Sequence, residues 1–249
     1  MSVTPRVLDS ATPAARNAVA RRERLFFGGM AIAMLATVIA GFGPTYYFST
    51  VSGSTLALTR TLHLHGAVFT TWMVLLVLQT TLVAAGRTDV HRQLGVFGAV
   101  LGACMLALAA YVPITRVQAG LMVPPAGIPV GVLLAIALAS AVVFPVLLGA
   151  ALLLRTRSDF HKRLMLIATI ELVTAAVGRL PVIGAAGPPA FFAVTDLFLA
   201  AIVIYDFSTR GRIHPATLWG GLFLIASQPL RLAIGFSAPW AAWVGWLTS

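Results

Sequence analysis

Seven stretches of this chain run for roughly twenty residues or more with few charges, and that narrows the possible folds more than anything else in it. They cover residues 25–48, 63–85, 93–115, 128–154, 163–183, 189–206 and 216–236. A bilayer core of about 30 Å is crossed by roughly 20 apolar residues in a helix. Lipid offers the backbone no hydrogen bonds, so a spanning segment must satisfy its own N–H and C=O groups. The runs are continuous and do not alternate, which excludes a closed membrane barrel. Only 10% of the 249 residues are charged, against about 25% in soluble domains, and the mean hydropathy is +0.94. The expected fold is an all-α membrane protein of seven transmembrane helices. Residues 1–24 form a basic tail, 25–236 the helical domain and 237–249 an interfacial tail. The first run exceeds the 7–15 residues usual for a signal-peptide core, so it is read as a retained helix.

The cations orient these helices. With the N-terminus in the cytoplasm, thirteen Arg and Lys fall inside and two, Arg60 and Arg116, fall outside, with Arg179 and Arg231 inside helices. That is a strong positive-inside bias, and an odd number of spans places the C-terminus outside. Trp240, Trp243 and Trp246 there suit a helix lying in the outer interface. The pI is near 11.4, but the cations are scattered over short turns. No basic face is offered to a duplex, so no nucleic-acid partner is expected. One cysteine, Cys104, excludes a disulfide framework. Sixteen Arg against one Lys, with abundant Ala and Gly, suggests a bacterial source and hence the inner membrane.

Three short segments share a frame: TDVHRQLG (88–95), SDFHKRLM (158–165) and, more loosely, TRGRIHPATL (209–218). Each falls on a turn between consecutive helices, on the cytoplasmic side. One helix followed by three hairpins of equal orientation is therefore expected, as parallel repeats. Two readings of His91, His161 and His214 follow. With His65 from the outer mouth of helix two, they are the candidate ligands of a metal or haem. Alternatively the frame is a turn device: Asp89 and Asp159 cap helix starts, and the cations Arg87, Arg92, Arg155, Arg157, Lys162 and Arg163 meet lipid headgroups. Eight cations around three Asp disfavour a divalent ion, so no cofactor is favoured and b-type haem stays as the alternative. The single Lys lies in a turn, which excludes a retinal Schiff base in the last helix.

Four ionisable residues fall inside predicted spans: Glu171, Arg179, Asp196 and Arg231. Such groups normally face a cavity or a partner. At about 1.5 Å per residue, Arg179, Arg231 and Asp196 converge at roughly 20–24 Å from the cytoplasmic side, with Gln228 one turn from Arg231 and Glu171 lower, at about 12 Å. Two arrangements are open. An Arg–Asp–Arg knot would pin helices five to seven. A pocket open to the outside would use the excess positive charge to hold an anionic group. Gly98 and Gly102 form a G-x-x-x-G, expected to serve close helix packing.

The stretch HGAVFTTWMVLLVLQTTLVAAGRTDVHRQLG, His65 to Gly95, resembles a family of predicted bacterial multi-pass membrane proteins of unknown function, through His65, Gly66, Gln79 and the run His91, Arg92, Leu94, Gly95. The resemblance implies a multi-pass bacterial membrane protein and supplies no activity. A fainter similarity is to b-type haem membrane cytochromes and ferric reductases, with His91 and His161 as the implied inner pair. The leading functional expectation is small-molecule binding or transport through an outward-facing pocket, with Arg179 and Arg231 on an anionic group, Asp196 orienting them and Glu171 relaying a proton. The alternatives are a single-haem electron carrier and a non-catalytic subunit held by a partner in a membrane complex. No catalytic set is read in the sequence.

Overall fold

In a computed structural model of the chain, residues 12–54, 58–124 and 127–249 are described. These residues are helical and contain no strand. The long helices are α1 (Pro13–Phe42), α2 (Arg60–Ala84), α3 (Thr88–Gln118), α4 (Val130–Leu153), α5 (Ser158–Val177), α6 (Pro188–Arg210) and α7 (Pro215–Gly235), followed by a shorter α8 (Ala238–Leu247). The first begins inside the stretch expected as a polar tail, so Arg21, Arg22 and Arg24 stand on a continuous helix; Arg6 lies outside the described residues. A π-helical turn, Gly43–Tyr47, extends it at the other end.

Local chemistry explains the helix ends. Thr59 caps α2 through its hydroxyl, which accepts from Leu62 N–H at 3.2 Å. Pro188 and Pro215 open α6 and α7, where a missing N–H costs nothing. Gly211 closes α6 in the left-handed conformation (φ 67°), which a residue without Cβ adopts freely.

Six helices among the described residues are long and apolar enough to cross a membrane: those of α1, α2, α3, α4, α6 and α7. The chain thus has the build of a multi-pass helical membrane protein. The remaining long helix, α5, is 20 residues long, about 30 Å at 1.5 Å per residue, but it carries Asp159, Lys162, Arg163 and Glu171. It is also the innermost. Neighbours run α1–α2–α3–α4–α7–α6. The circuit closes where Arg22 of α1 meets Ser208 of α6 (2.9 Å) and Phe26 stacks on Tyr205 (4.0 Å). Inside it, α5 packs directly on α1, α4, α6 and α7 and bonds to α2 through Trp72 Nε1–H on Thr169 Oγ1 (3.2 Å). Its residues from Leu164 to Val177 are nearly all buried.

Small residues let the backbones approach. A Cβ on Gly102 would strike Leu148 of α4, one on Gly98 would press Leu75 of α2 (3.2 Å), and one on Gly41 would strike the backbone of Ala176 in α5. The G-x-x-x-G of α3 therefore serves packing on two neighbours. At the end of the chain α8 folds back on α4, where Trp240 Nε1–H donates to Gly131 O (2.7 Å), while Trp246 stays exposed.

Candidate functional site

The bundle has two chemically different ends. The turns between α2 and α3, α4 and α5, and α6 and α7 gather at the basic end, and the described residues 43–54, 58–63, 113–124, 127–130 and 178–190 lie at the far end.

At the basic end, four residues of SDFHKRLM reach four different helices, because successive helical residues are turned by about 100°. Asp159 Oδ2 meets His214 Nε2, the residue that opens α7, at 3.0 Å. His161 Nδ1 meets Ala151 O of α4 at 2.9 Å. Lys162 Nζ pairs with Glu23 of α1 at 2.7 Å. Arg163 Nε donates to Asp206 Oδ1 of α6 at 2.9 Å, with Nη2 on the same oxygen. Asp206 also accepts from Thr217 Oγ1 (2.6 Å) and from the His214 backbone N–H (3.0 Å). Arg163, Asp206 and His214 are 2%, 0% and 2% exposed. A buried ion pair needs its remaining hydrogen-bonding capacity filled, and Thr217 and His214 do that here.

Two sequence expectations are corrected at this end. Asp89 and Asp159 are not N-caps: each is the second residue of its helix, and the cap residues Arg87 and Arg157 make no side-chain capping bond. A first-turn carboxylate still suits the positive helix end. Arg163 does not face headgroups, since it is buried on Asp206; Lys162 pairs with the part-exposed Glu23 on the bundle surface. Arg87, Arg92, Arg155 and Arg157 are exposed. His214 is the true cap of α7: Ala216 N–H donates to its Nδ1 at 3.1 Å. Its proton therefore sits on Nε2 and is given to Asp159. Burial pushes His214 below the ordinary imidazole pKa, against the upward pull of the Asp159 hydrogen bond.

His91 and His161 come together with ring centres 6.3 Å apart. A carbonyl can only accept, so the bond to Ala151 O puts the His161 proton on Nδ1 and leaves Nε2 a free lone pair. His91 Nδ1 is buried without a partner, as is Oε1 of Gln79, whose Nε2 donates to His91 O (3.2 Å). His214 and His65 are elsewhere, so the four candidate histidines do not form one site, and no group of three or more His, Cys, Asp or Glu placed to hold a metal occurs among the described residues.

In the middle of the bundle the expected Arg–Asp–Arg convergence does not form. Arg231 takes Glu171 instead, through Nη1 to Oε1 (2.9 Å) and Nη2 to Oε2 (2.8 Å). Ser140 of α4 donates to Glu171 Oε1 (2.7 Å) and Ser227 accepts from Arg231 Nη2 (2.8 Å). Asp196 is bonded to Gln228 Nε2 (2.8 Å). Glu171 lies higher than expected because the helix begins at Ser158 rather than Arg163. Counted from Ser158, Glu171 stands about 20 Å up α5 and Arg231 about 24 Å up α7, within reach of a guanidinium.

Arg179 lies apart from both, beyond the last residue of α5 at the far end, and is exposed. Its Nη1 donates to Ala175 O (2.7 Å) and its guanidinium covers the Phe42 ring of α1 (4.4 Å). Its charge acts on Arg116 of α3 and His65 of α2. His65 stacks on Phe69 (4.1 Å) and keeps a buried, unpartnered Nδ1, while His63, two residues earlier, is exposed. No described carboxylate lies within ion-pair distance of Arg179.

Comparison of the chain with protein families, curated proteins and solved structures found no match. Sequence reasoning missed Arg163, Asp206 and Thr217 as a buried cluster. The one signal available was that Asp206 falls at the end of an apolar run rather than in the turn.

Proposed function

We propose that this chain is a seven-span bacterial inner-membrane protein, N-terminus inside and C-terminus outside, that binds a small anionic molecule from the outside. The observation that carries this is Arg179: a guanidinium at the far end, with no described carboxylate partner, beside Arg116 and His65. A helix carboxyl end favours a cation but leaves most of its charge unbalanced. A carboxylate or phosphate that replaced the missing counter-ion would gain charge-assisted hydrogen bonds from Arg179. Arg231 is assigned the opposite role. Its charge is neutralised by Glu171, so it pins α5 to α7. Asp196 and Gln228 form a polar pair on the α6–α7 seam, available to a ligand that passes deeper.

The seventh span in this reading is α5. Its charges all meet partners on neighbouring helices, which is how an ionisable helix is tolerated in a bilayer. The test is anion binding to the detergent-purified protein and to Arg179→Gln, with inorganic phosphate, acetate and citrate as probes. Loss of binding with retained folding supports the reading. Unchanged binding removes it.

A second reading is supported by the His91–His161 pair. Their ring centres, 6.3 Å apart, are close to the roughly 6 Å that two imidazoles would need to hold one iron at metal–nitrogen distances of about 2 Å. The Ala151 carbonyl holds the His161 tautomer that leaves Nε2 for a metal, and exposed Arg92 and Arg155 suit propionates. A bound haem would supply one-electron redox chemistry. The visible spectrum decides: a Soret band lost in His91→Ala and His161→Ala supports it, and a colourless protein removes it.

A further inference from the structure

At the basic end an apolar groove of about 300 Å³ opens on the outside of the bundle between α4, α5 and α7. Its walls include Leu154, Phe160, Trp219 and Phe223, and its floor is low where Ala150 and Gly220 contribute no bulk. Along α7 it runs from Pro215 to Phe223, about 12 Å at 1.5 Å per residue. That is most of the depth of one leaflet, about 15 Å. Trp219 is 68% exposed, so its ring borders whatever fills the groove.

The mouth is cationic. Arg157 lies over the Phe160 ring (5.4 Å), and Arg155 is exposed two residues away, its Nη1 on Leu152 O (3.1 Å). Arg210 and Arg212 are exposed on the α6–α7 turn. The nearby carboxylate, Asp159, is engaged by His214, and Asp206 by Arg163. The groove is thus apolar along its length and positive at its headgroup end.

We propose that this groove holds one acyl chain of an anionic phospholipid, with the lipid phosphate on Arg155 and Arg157. Charge complementarity selects the class: a zwitterionic headgroup brings its own ammonium to a mouth that already has an excess of cations. The site is separate from Arg179 and stands or falls independently of it.

Trp219 reports on it directly. The full chain is reconstituted in phosphatidylcholine vesicles containing a minor fraction of brominated phosphatidylglycerol or, in parallel, brominated phosphatidylcholine. The quenching that disappears in Trp219→Phe is assigned to the groove. Phosphatidylglycerol is expected to quench Trp219 at several-fold lower mole fraction, with about fivefold preference lost per arginine in Arg155→Gln and Arg157→Gln. Ala150→Phe, which fills the floor and keeps both arginines, should reduce quenching by both lipids. Equal quenching by the two lipids in the unaltered chain overturns the proposal, as does a preference that survives the double arginine replacement.

Discussion

Arg231 of α7 and Glu171 of α5 hold each other through two hydrogen bonds, 2.9 and 2.8 Å long, with side chains 2% and 1% exposed. Both charges are removed from water, and each relies on the other. Removing one partner of such a pair costs about 3–5 kcal/mol, whereas replacing both with apolar residues is often neutral. Glu171→Gln and Arg231→Met should each lower the thermal midpoint of the detergent-solubilised protein sharply. The combination Glu171→Leu with Arg231→Met should recover most of the loss. A double variant no more stable than either single one would show that the pair is not what holds α5 to α7 there.

Whether α5 crosses the membrane, as proposed, decides the sidedness of everything after it. On a Cys104→Ser background, Thr156→Cys in the α4–α5 turn should react with an impermeant maleimide only in inside-out vesicles. Ser249→Cys should react only in right-side-out spheroplasts. If α5 did not cross, α6 and α7 would return the C-terminus to the side of Thr156, and both would label from one face.

His214 caps α7 only while neutral, because Nδ1 must accept from Ala216 N–H. Burial lowers its pKa in the folded chain. A histidine of this kind contributes stability that is fully present above its unfolded value, about 6.5, and that is lost as the pH falls through the lower folded value. The thermal midpoint should therefore hold steady near neutral pH and drop on acidification below it. His214→Asn retains a side-chain acceptor for the cap and cannot titrate, so the acid-side drop should shrink. His214→Ala should lose about 1 kcal/mol at neutral pH. A pH profile identical in His214→Asn and the unaltered chain would assign the drop to other groups.

The helices were legible from the sequence, because apolar length alone selects them: α2, α4 and α7 begin and end within three residues of the runs read from composition. Partners were not. Arg163 and Asp206 are 43 residues apart and Glu171 and Arg231 are 60 apart, and no local pattern records which faces of α5, α6 and α7 meet. Reading depth from Arg163 rather than Ser158 was enough to send Glu171 to the wrong level. The recurring Asp and His of the turns were visible as a frame. Their use differs from turn to turn: His214 caps a helix, His161 holds the α4–α5 hairpin through Ala151 O, and His91 is tied by its carbonyl to Gln79. That divergence arises from packing.

The proposed anion site at the far end of the bundle depends on Arg179. Arg179 contributes one backbone hydrogen bond and one ring contact to the fold, so its replacement should cost about 1 kcal/mol or less. A hydrogen-bonded contact to a charged ligand is worth about 1.5–3 kcal/mol, tenfold or more in affinity. The decisive measurement is calorimetric titration of the purified protein and its Arg179→Gln variant with phosphate, acetate and citrate. At least one of these anions is expected to bind the unaltered chain and to lose tenfold or more in affinity in the variant, while the thermal midpoint hardly moves. Binding that is undiminished in Arg179→Gln, or no binding of any of the three to the unaltered chain, would contradict the proposal.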